Sequence, residues 1–285
     1  MSRHAGPIIV VLLIVLVAWY AAAVWLNFDT AQNLADEDAT RWQIVAATMR
    51  QDRPLLPAPH QIAAELVSSI FSYPPDSPKS LLWHAYVTAY AAAVGFVFAL
   101  VLGIGLAIGI VHVRTLDRSL MLWIIASQTV PVLAIAPMVV VVLGNIGLTG
   151  VLPKAIIAGW LSFFPVTTGM VKGLRSPDPM QRDLMRTYSA SGAQVFTLLR
   201  WPASMSFLFP GLKVAATLAL VGAIVAELPT GAQAGLGARL LTGSYYGQTL
   251  QIWAALFAAA LLALLAVAAV DLVQRGLVRH RGGRL

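Results

Sequence analysis

Six apolar stretches, each close to the length that a bilayer core demands, constrain this chain more than any other feature. They run Pro7 to Asn27, His84 to His112, Ser119 to Leu143, Lys154 to Met170, Ser206 to Leu228 and Thr249 to Val270. A helix crossing the hydrocarbon needs about 20 predominantly apolar residues, with a range of roughly 17–25. With 59% hydrophobic and only 11% charged residues, the chain cannot be a soluble globule, in which about a quarter of residues are charged. The expected fold is an all-α integral membrane protein with about six transmembrane helices. The first stretch follows Arg3 and His4 and contains Ala21-Ala22-Ala23, as a cleaved signal would. Its apolar length exceeds the roughly 7–15 residues of a signal core, so an uncleaved span is expected.

The basic residues then orient the chain. With both ends on one side, that side receives Arg3, Arg114, Arg118, Lys172, Arg175, Arg182, Arg186, Arg200, Arg275, Arg279, Arg281 and Arg284. The other side receives Arg41, Arg50, Arg53, Lys79, Lys154 and Arg239. Lysine and arginine concentrate on cytoplasmic loops, so both termini are expected in the cytoplasm. The net charge of +7 is explained by this topology, and no nucleic acid is implied. Absence of cysteine excludes disulfides and thiolate chemistry. The five histidines are scattered without ligand spacing, so neither a metal site nor a catalytic residue is expected.

Between the fourth and fifth stretches lies a polar island, Ser176 to Pro202, SPDPMQRDLMRTYSASGAQVFTLLRWP. Asp178 followed by Pro179 reads as an N-cap with proline at the first helical position, and Gln181 stands where a capping box returns its side chain. The helix that starts there carries Leu184, Met185 and Tyr188 at helical spacing, flanked by Arg182, Asp183 and Arg186. A small apolar face rimmed by charge suits docking into a groove. A second short helix, Ala193 to Leu199, is expected to stop before Trp201-Pro202, because the residue before a proline is pushed out of the α region.

The island resembles the cytoplasmic loop of ABC importer permeases, whose pattern runs Glu-Ala-Ala, three residues, Gly, nine residues, Ile-x-Leu-Pro. Counting back from Pro202 sets the glutamate on Asp183, the alanines on Leu184 and Met185, the glycine on Ser189 and the closing motif on Leu199-Arg200-Trp201-Pro202. Several of these positions are substituted. The likeness extends to Leu56-Pro57-Ala58-Pro59, Gly95-Phe96, Pro131 with Pro137, and Val225-Ala226-Glu227 ahead of Gly235-Leu236-Gly237. Together these are similar to the nitrate/sulfonate/taurine-type permeases. The resemblance implies a type I importer fold in a bacterial inner membrane and a second copy of the chain as homodimer partner. It further implies two separate ATP-binding subunits, which carry ATP and Mg, and a periplasmic or lipid-anchored solute-binding protein. Asp183, Leu184, Met185, Arg186, Tyr188, Ser189 and Pro202 become the expected ATPase-coupling residues. The implied organisation is an N-terminal span at 1–27, an external connector with a short amphipathic helix at 28–83, and a permease core at 84–285 whose coupling loop covers 175–205.

The spans themselves offer few polar groups. Gln128 and Thr129 lie near Pro131 and Pro137, whose freed carbonyls are tolerable in lipid only against protein or a water-filled path. Phe163 and Phe164 follow in the fourth stretch. In the fifth, Lys213 can snorkel to the interface, whereas Glu227 stands about 21 Å farther along. An ionisable residue inside a span is a functional candidate by default, so Glu227 joins Gln128, Thr129, Phe163 and Phe164 as the expected translocation pathway or its gate. The alternative for Glu227 is a hydrogen bond to a loop. No Gly-Lys dipeptide occurs, so the chain holds no Walker A phosphate loop. A stand-alone ion-coupled carrier would show internal repeats or paired acidic groups at mid-membrane, and neither is found. The segment Asp183 to Ser191 resembles the branch associated with thiamine-pyrimidine precursors and riboflavin. Such a solute is expected, with nitrate, sulfonate or taurine as the alternative.

Overall fold

The computed structural model describes residues 5–36, 38–229 and 233–280; Arg3, Arg281 and Arg284 lie outside the described residues. Twelve α-helices follow one another among those residues: α1 Ala5–Asn33, α2 Arg41–Thr48, α3 Pro59–Phe71, α4 Leu81–His112, α5 Arg114–Ala126, α6 Val132–Asn145, α7 Val151–Arg175, α8 Pro179–Thr187, α9 Gly192–Gln194, α10 Trp201–Glu227, α11 Leu236–Tyr245 and α12 Thr249–His280. Five helical stretches are long and apolar enough to cross a membrane, and a bent pair raises the number to as many as six. The chain is a multi-pass, all-α membrane protein. Its contacts divide it into two compact units, Met1–Ala85 with Ala238–Ala258, and Tyr86–Gly237 with Ala259–Leu285.

In the first unit a buried asparagine organises the connector. Asn27 is 1% exposed; its Nδ2 donates to the carbonyls of Ala23 (2.7 Å) and Leu56 (2.8 Å), and its Oδ1 accepts from Leu55 N (2.6 Å). Trp19 Nε1 donates to the Pro57 carbonyl, and Thr249 Oγ1 to that of Pro54. The segment 54–57 lies in neither helix nor strand, so side chains from α1 and α12 donate to its carbonyls in place of backbone partners. The short amphipathic helix expected in the connector is α3, which begins at Pro59 with Gln61 Oε1 accepting from Ala58 N. Helix α2 and the last turn of α1 occupy residues that the sequence reading leaves as polar connector.

The second unit is built on α7 and α10. Lipid gives no hydrophobic drive for pairing helices, so small residues that admit close backbones supply it. A Cβ at Gly173 would stand 2.6 Å from Ser204 Cα, and one at Gly211 would stand 2.6 Å from the Pro165 carbonyl oxygen. Around this seam Val166, Met170, Leu174, Leu208, Phe209 and Ala215 form the main core. On α4, Gly95 and Gly103 meet α7 closely, whereas Gly105 faces open space.

One sequence expectation is corrected here and one is sharpened. The proline-bearing third apolar stretch is broken sharply: α5 ends in a 3-10 turn, Ser127–Thr129, and α6 restarts at Val132 with a bend of 100°. Val130, before Pro131, is extended (φ −78°, ψ 123°), as a residue preceding proline prefers. Trp201-Pro202 does not stop a helix. Residues 195–200 form a π-helical turn in which Trp201 N donates to the Phe196 carbonyl five residues back, and one helix runs unbroken over Gly192–Glu227. The wider turn accommodates the proline ring that a tight α turn would exclude. Helix α11 forms in the glycine-rich segment after Pro229, opening at Leu236.

Candidate functional site

Two places in the second unit concentrate the predicted residues, and the first is the connection between α7 and α10. Asp178 caps α8: Met180 N donates to its Oδ1 (3.4 Å) while Asp178 N donates to Gln181 Oε1 (3.1 Å), closing the capping box. At the other end Ser189 N donates to the Arg186 carbonyl (2.8 Å) and Ala190 N to that of Met185 (3.0 Å). This pair is a Schellman motif, which requires a left-handed residue one past the C-cap. That residue is Ser189, with φ 52°, the one positive-φ non-glycine among the described residues. It occupies the position onto which the loop pattern maps its glycine.

No residue of α8 is buried. Met180, Leu184 and Tyr188, spaced four apart, are 79%, 57% and 77% exposed, so they line one open face. Met185, expected on that face, is half-buried instead, about 100° around the helix from Leu184. Met180 was missed because it sits within the cap; reading the four-residue spacing back one turn finds it. Asp183 Oδ1 accepts from Arg186 at 3.2 Å, both side chains in solvent, so the pair orients little and stabilises less than about 1 kcal/mol. Pro202 is half-buried at the start of α10.

The second place is the far end of α10. Glu227 is fully buried. Its two carboxylate oxygens accept from Thr88 Oγ1 on α4, each at 3.0 Å. Oε1 accepts from Lys154 Nζ on α7 at 3.4 Å, and Oε2 from Gly237 N at 2.8 Å. Thr88 Oγ1 also accepts from Leu236 N (2.8 Å), and Lys154 donates to the Ala234 carbonyl (3.2 Å). Leu236 and Gly237 open α11, so the carboxylate sits where a helix N-terminus favours negative charge. Sequence reasoning named Glu227 but neither Thr88 nor Lys154.

The remaining pathway candidates are dispersed. Gln128 and Thr129 are exposed in the 3-10 turn; Phe163 is buried in the main core, and Phe164 is half-buried beside it. The structure does not gather these four around Glu227. Lys213, expected to snorkel, pairs with Asp271 on α12, which also receives Arg275 at 2.7 Å. A census of charges inside the long helices would have found both pairings: Lys154 and Lys213 match Glu227 and Asp271.

The family described as "Binding-protein-dependent transport system inner membrane component" matches residues 99–282. Formylaminopyrimidine transport permease protein ThiX of Halalkalibacterium halodurans is 30% identical, over 84% of this chain and 91% of its own length. Riboflavin transport system permease protein RibX of Chloroflexus aurantiacus is 31% identical, over 84% and 85%. A Bacillus subtilis protein named for aliphatic sulfonates transport, SsuC, is 28% identical, over 84% and 83%.

Proposed function

The chain belongs to the family of binding-protein-dependent, ABC-type importer permeases, and on that premise we propose that it carries a planar heterocyclic solute inward while α8 docks on a separate ATP-binding subunit. The observation that carries this reading is the open Met180–Leu184–Tyr188 face, held by local caps between two long membrane helices. An apolar stripe left in water and rigidly presented fits a helix-in-groove contact. Asp183 and Arg186 at its rim set register, Ser189 fixes the exit of the helix, and Pro202 begins the rod that leaves it.

In this reading the full transporter contains two copies of the chain, two ATP-binding subunits holding ATP and Mg, and a periplasmic or lipid-anchored binding protein, within a bacterial inner membrane. Both termini and α8 face the cytoplasm, following the bias of arginines toward that side. Gln128 and Thr129, exposed at the break between α5 and α6, are the polar groups we assign to the pathway. A pyrimidine precursor of thiamine or a flavin is the favoured solute, because the relatives named for formylaminopyrimidine and riboflavin are 30% and 31% identical. The similarity to SsuC supports sulfonate import as a second reading.

The test of docking is co-purification of the ATP-binding subunit. A buried aromatic anchor contributes about 2 kcal/mol or more, roughly thirtyfold in affinity, whereas rim charges contribute less. Tyr188→Ala should therefore weaken association about thirtyfold and Arg186→Ala only slightly. Full association in Met180→Ala, Leu184→Ala and Tyr188→Ala alike would leave α8 a solvated loop helix. The solute is tested on the partner binding protein, whose melting temperature should rise with pyrimidines or flavins; a rise with sulfonates or nitrate alone would reverse the assignment.

A further inference from the structure

The partners of Glu227 come from separate elements. Thr88 belongs to α4, Lys154 to α7, and Gly237 to the first turn of α11. No atom of Glu227 reaches solvent, and the Lys154 side chain is only 10% exposed. We propose that Glu227, Lys154 and Thr88 form a positioning cluster for transport, which holds the turn at residues 233–237, so that Glu227 acts through that turn and not by touching solute. The proposal rests on the permease reading above.

The turn and the carboxylate are shaped to each other. Gly235 has φ +130°, a conformation open to glycine alone, and a Cβ there would run into the Glu227 carboxylate. At Gly237 a Cβ would stand 2.7 Å from Glu227 Cβ. Above this seat the edge of the turn is open, with Gln233 exposed. The charges have a directional task here. A buried ion pair seldom stabilises more than well-packed apolar side chains of the same shape, but it demands one arrangement of donors and acceptors. Thr88 enforces that arrangement twice, donating to Glu227 and accepting from Leu236 N.

One consequence separates positioning from solute contact. Glu227→Gln can still accept from Thr88 and Gly237 but strands the Lys154 charge; Lys154→Met strands the Glu227 charge. The double variant strands neither. Because the chain has no cysteine, Gln233→Cys gives a single thiol at the edge of the turn, and a membrane-impermeant maleimide is the probe. In proteoliposomes each single variant should raise the labelling rate at least about tenfold, and the double variant should return it to within about twofold of the parent. With the ATP-binding subunits and binding protein added, kcat for stimulated ATP hydrolysis should fall in the singles and recover in the double, with KM for ATP unchanged. Thr88→Ser should behave as the parent and Thr88→Val as the single variants, which guards against misfolding of any one protein. Labelling that ignores all variants, or a double variant no better than the worse single, overturns the cluster. Labelling that responds while hydrolysis does not would reduce the cluster to a fold staple and overturn its role in transport. Failure of the ATP-binding subunits to associate at all would count against the permease reading instead, since labelling needs only the chain itself.

Discussion

Helix α8 and the Glu227 cluster stand at the two ends of one stretch of chain and are stabilised in opposite ways. Helix α8 buries no residue and is shaped by bonds between residues at most five apart. Glu227 is wholly buried and is held by groups 10, 73 and 139 positions away in sequence. In the proposed reading, α8 can be specified locally because its tertiary partner would lie on another molecule. A polar group inside the membrane must instead find its partners within its own fold, where an unmet charge is expensive.

The largest effect expected from this contrast is at Gly237. Gly237→Ala places a methyl against Glu227 Cβ and the α10 backbone, and overpacking of this kind costs about 3 kcal/mol. Thermal unfolding in detergent should show a large loss; a melting temperature equal to the parent's would mean the turn is not seated on Glu227. Tyr188→Ala, at the other region, should leave melting unchanged within about 0.5 kcal/mol while docking collapses. A destabilised Tyr188→Ala would erase the distinction between the two regions. The smallest effect is at Ser189. A left-handed serine is strained, and glycine relieves that strain at some entropic cost in the unfolded chain. Ser189→Gly should therefore stabilise α8 by about 0.5–1 kcal/mol, seen as slower hydrogen exchange of its amides; faster exchange would show that Ser189 earns its place by a contact of its side chain.

The same contrast explains what could be read before the fold was known. Asp178, Pro179 and Gln181 announce α8 because capping is decided within four residues. The C-terminal turn was legible through the loop pattern, which maps a glycine onto the position where Ser189 is left-handed. Local rules failed where neighbours intervened. Pro202 did not end its helix because a π turn widened ahead of it, and α11 arose in a glycine-rich segment whose first N–H groups meet Glu227 and Thr88. The role of Glu227 was only half visible, since an isolated carboxylate in an apolar run announces that it has partners but not which. Lys154 could have been paired with it by matching charges among the spans; nothing in the sequence singles out Thr88 among the threonines.

The unbroken helix over Gly192–Glu227 has a mechanical consequence. Its 36 residues reach about 54 Å at 1.5 Å per residue, joining the exit of the α8 elbow to the buried carboxylate. On the proposed docking of α8, a thrust delivered at Gly192 would pass along this helix toward Glu227, less whatever is taken up where its bonding is interrupted. The π turn at 195–200 and Pro210 inside α10 are two places along it where the regular α-helical bonding is interrupted. Within that proposal, movement that passes both places would bear on Thr88 and Lys154, which hold Glu227.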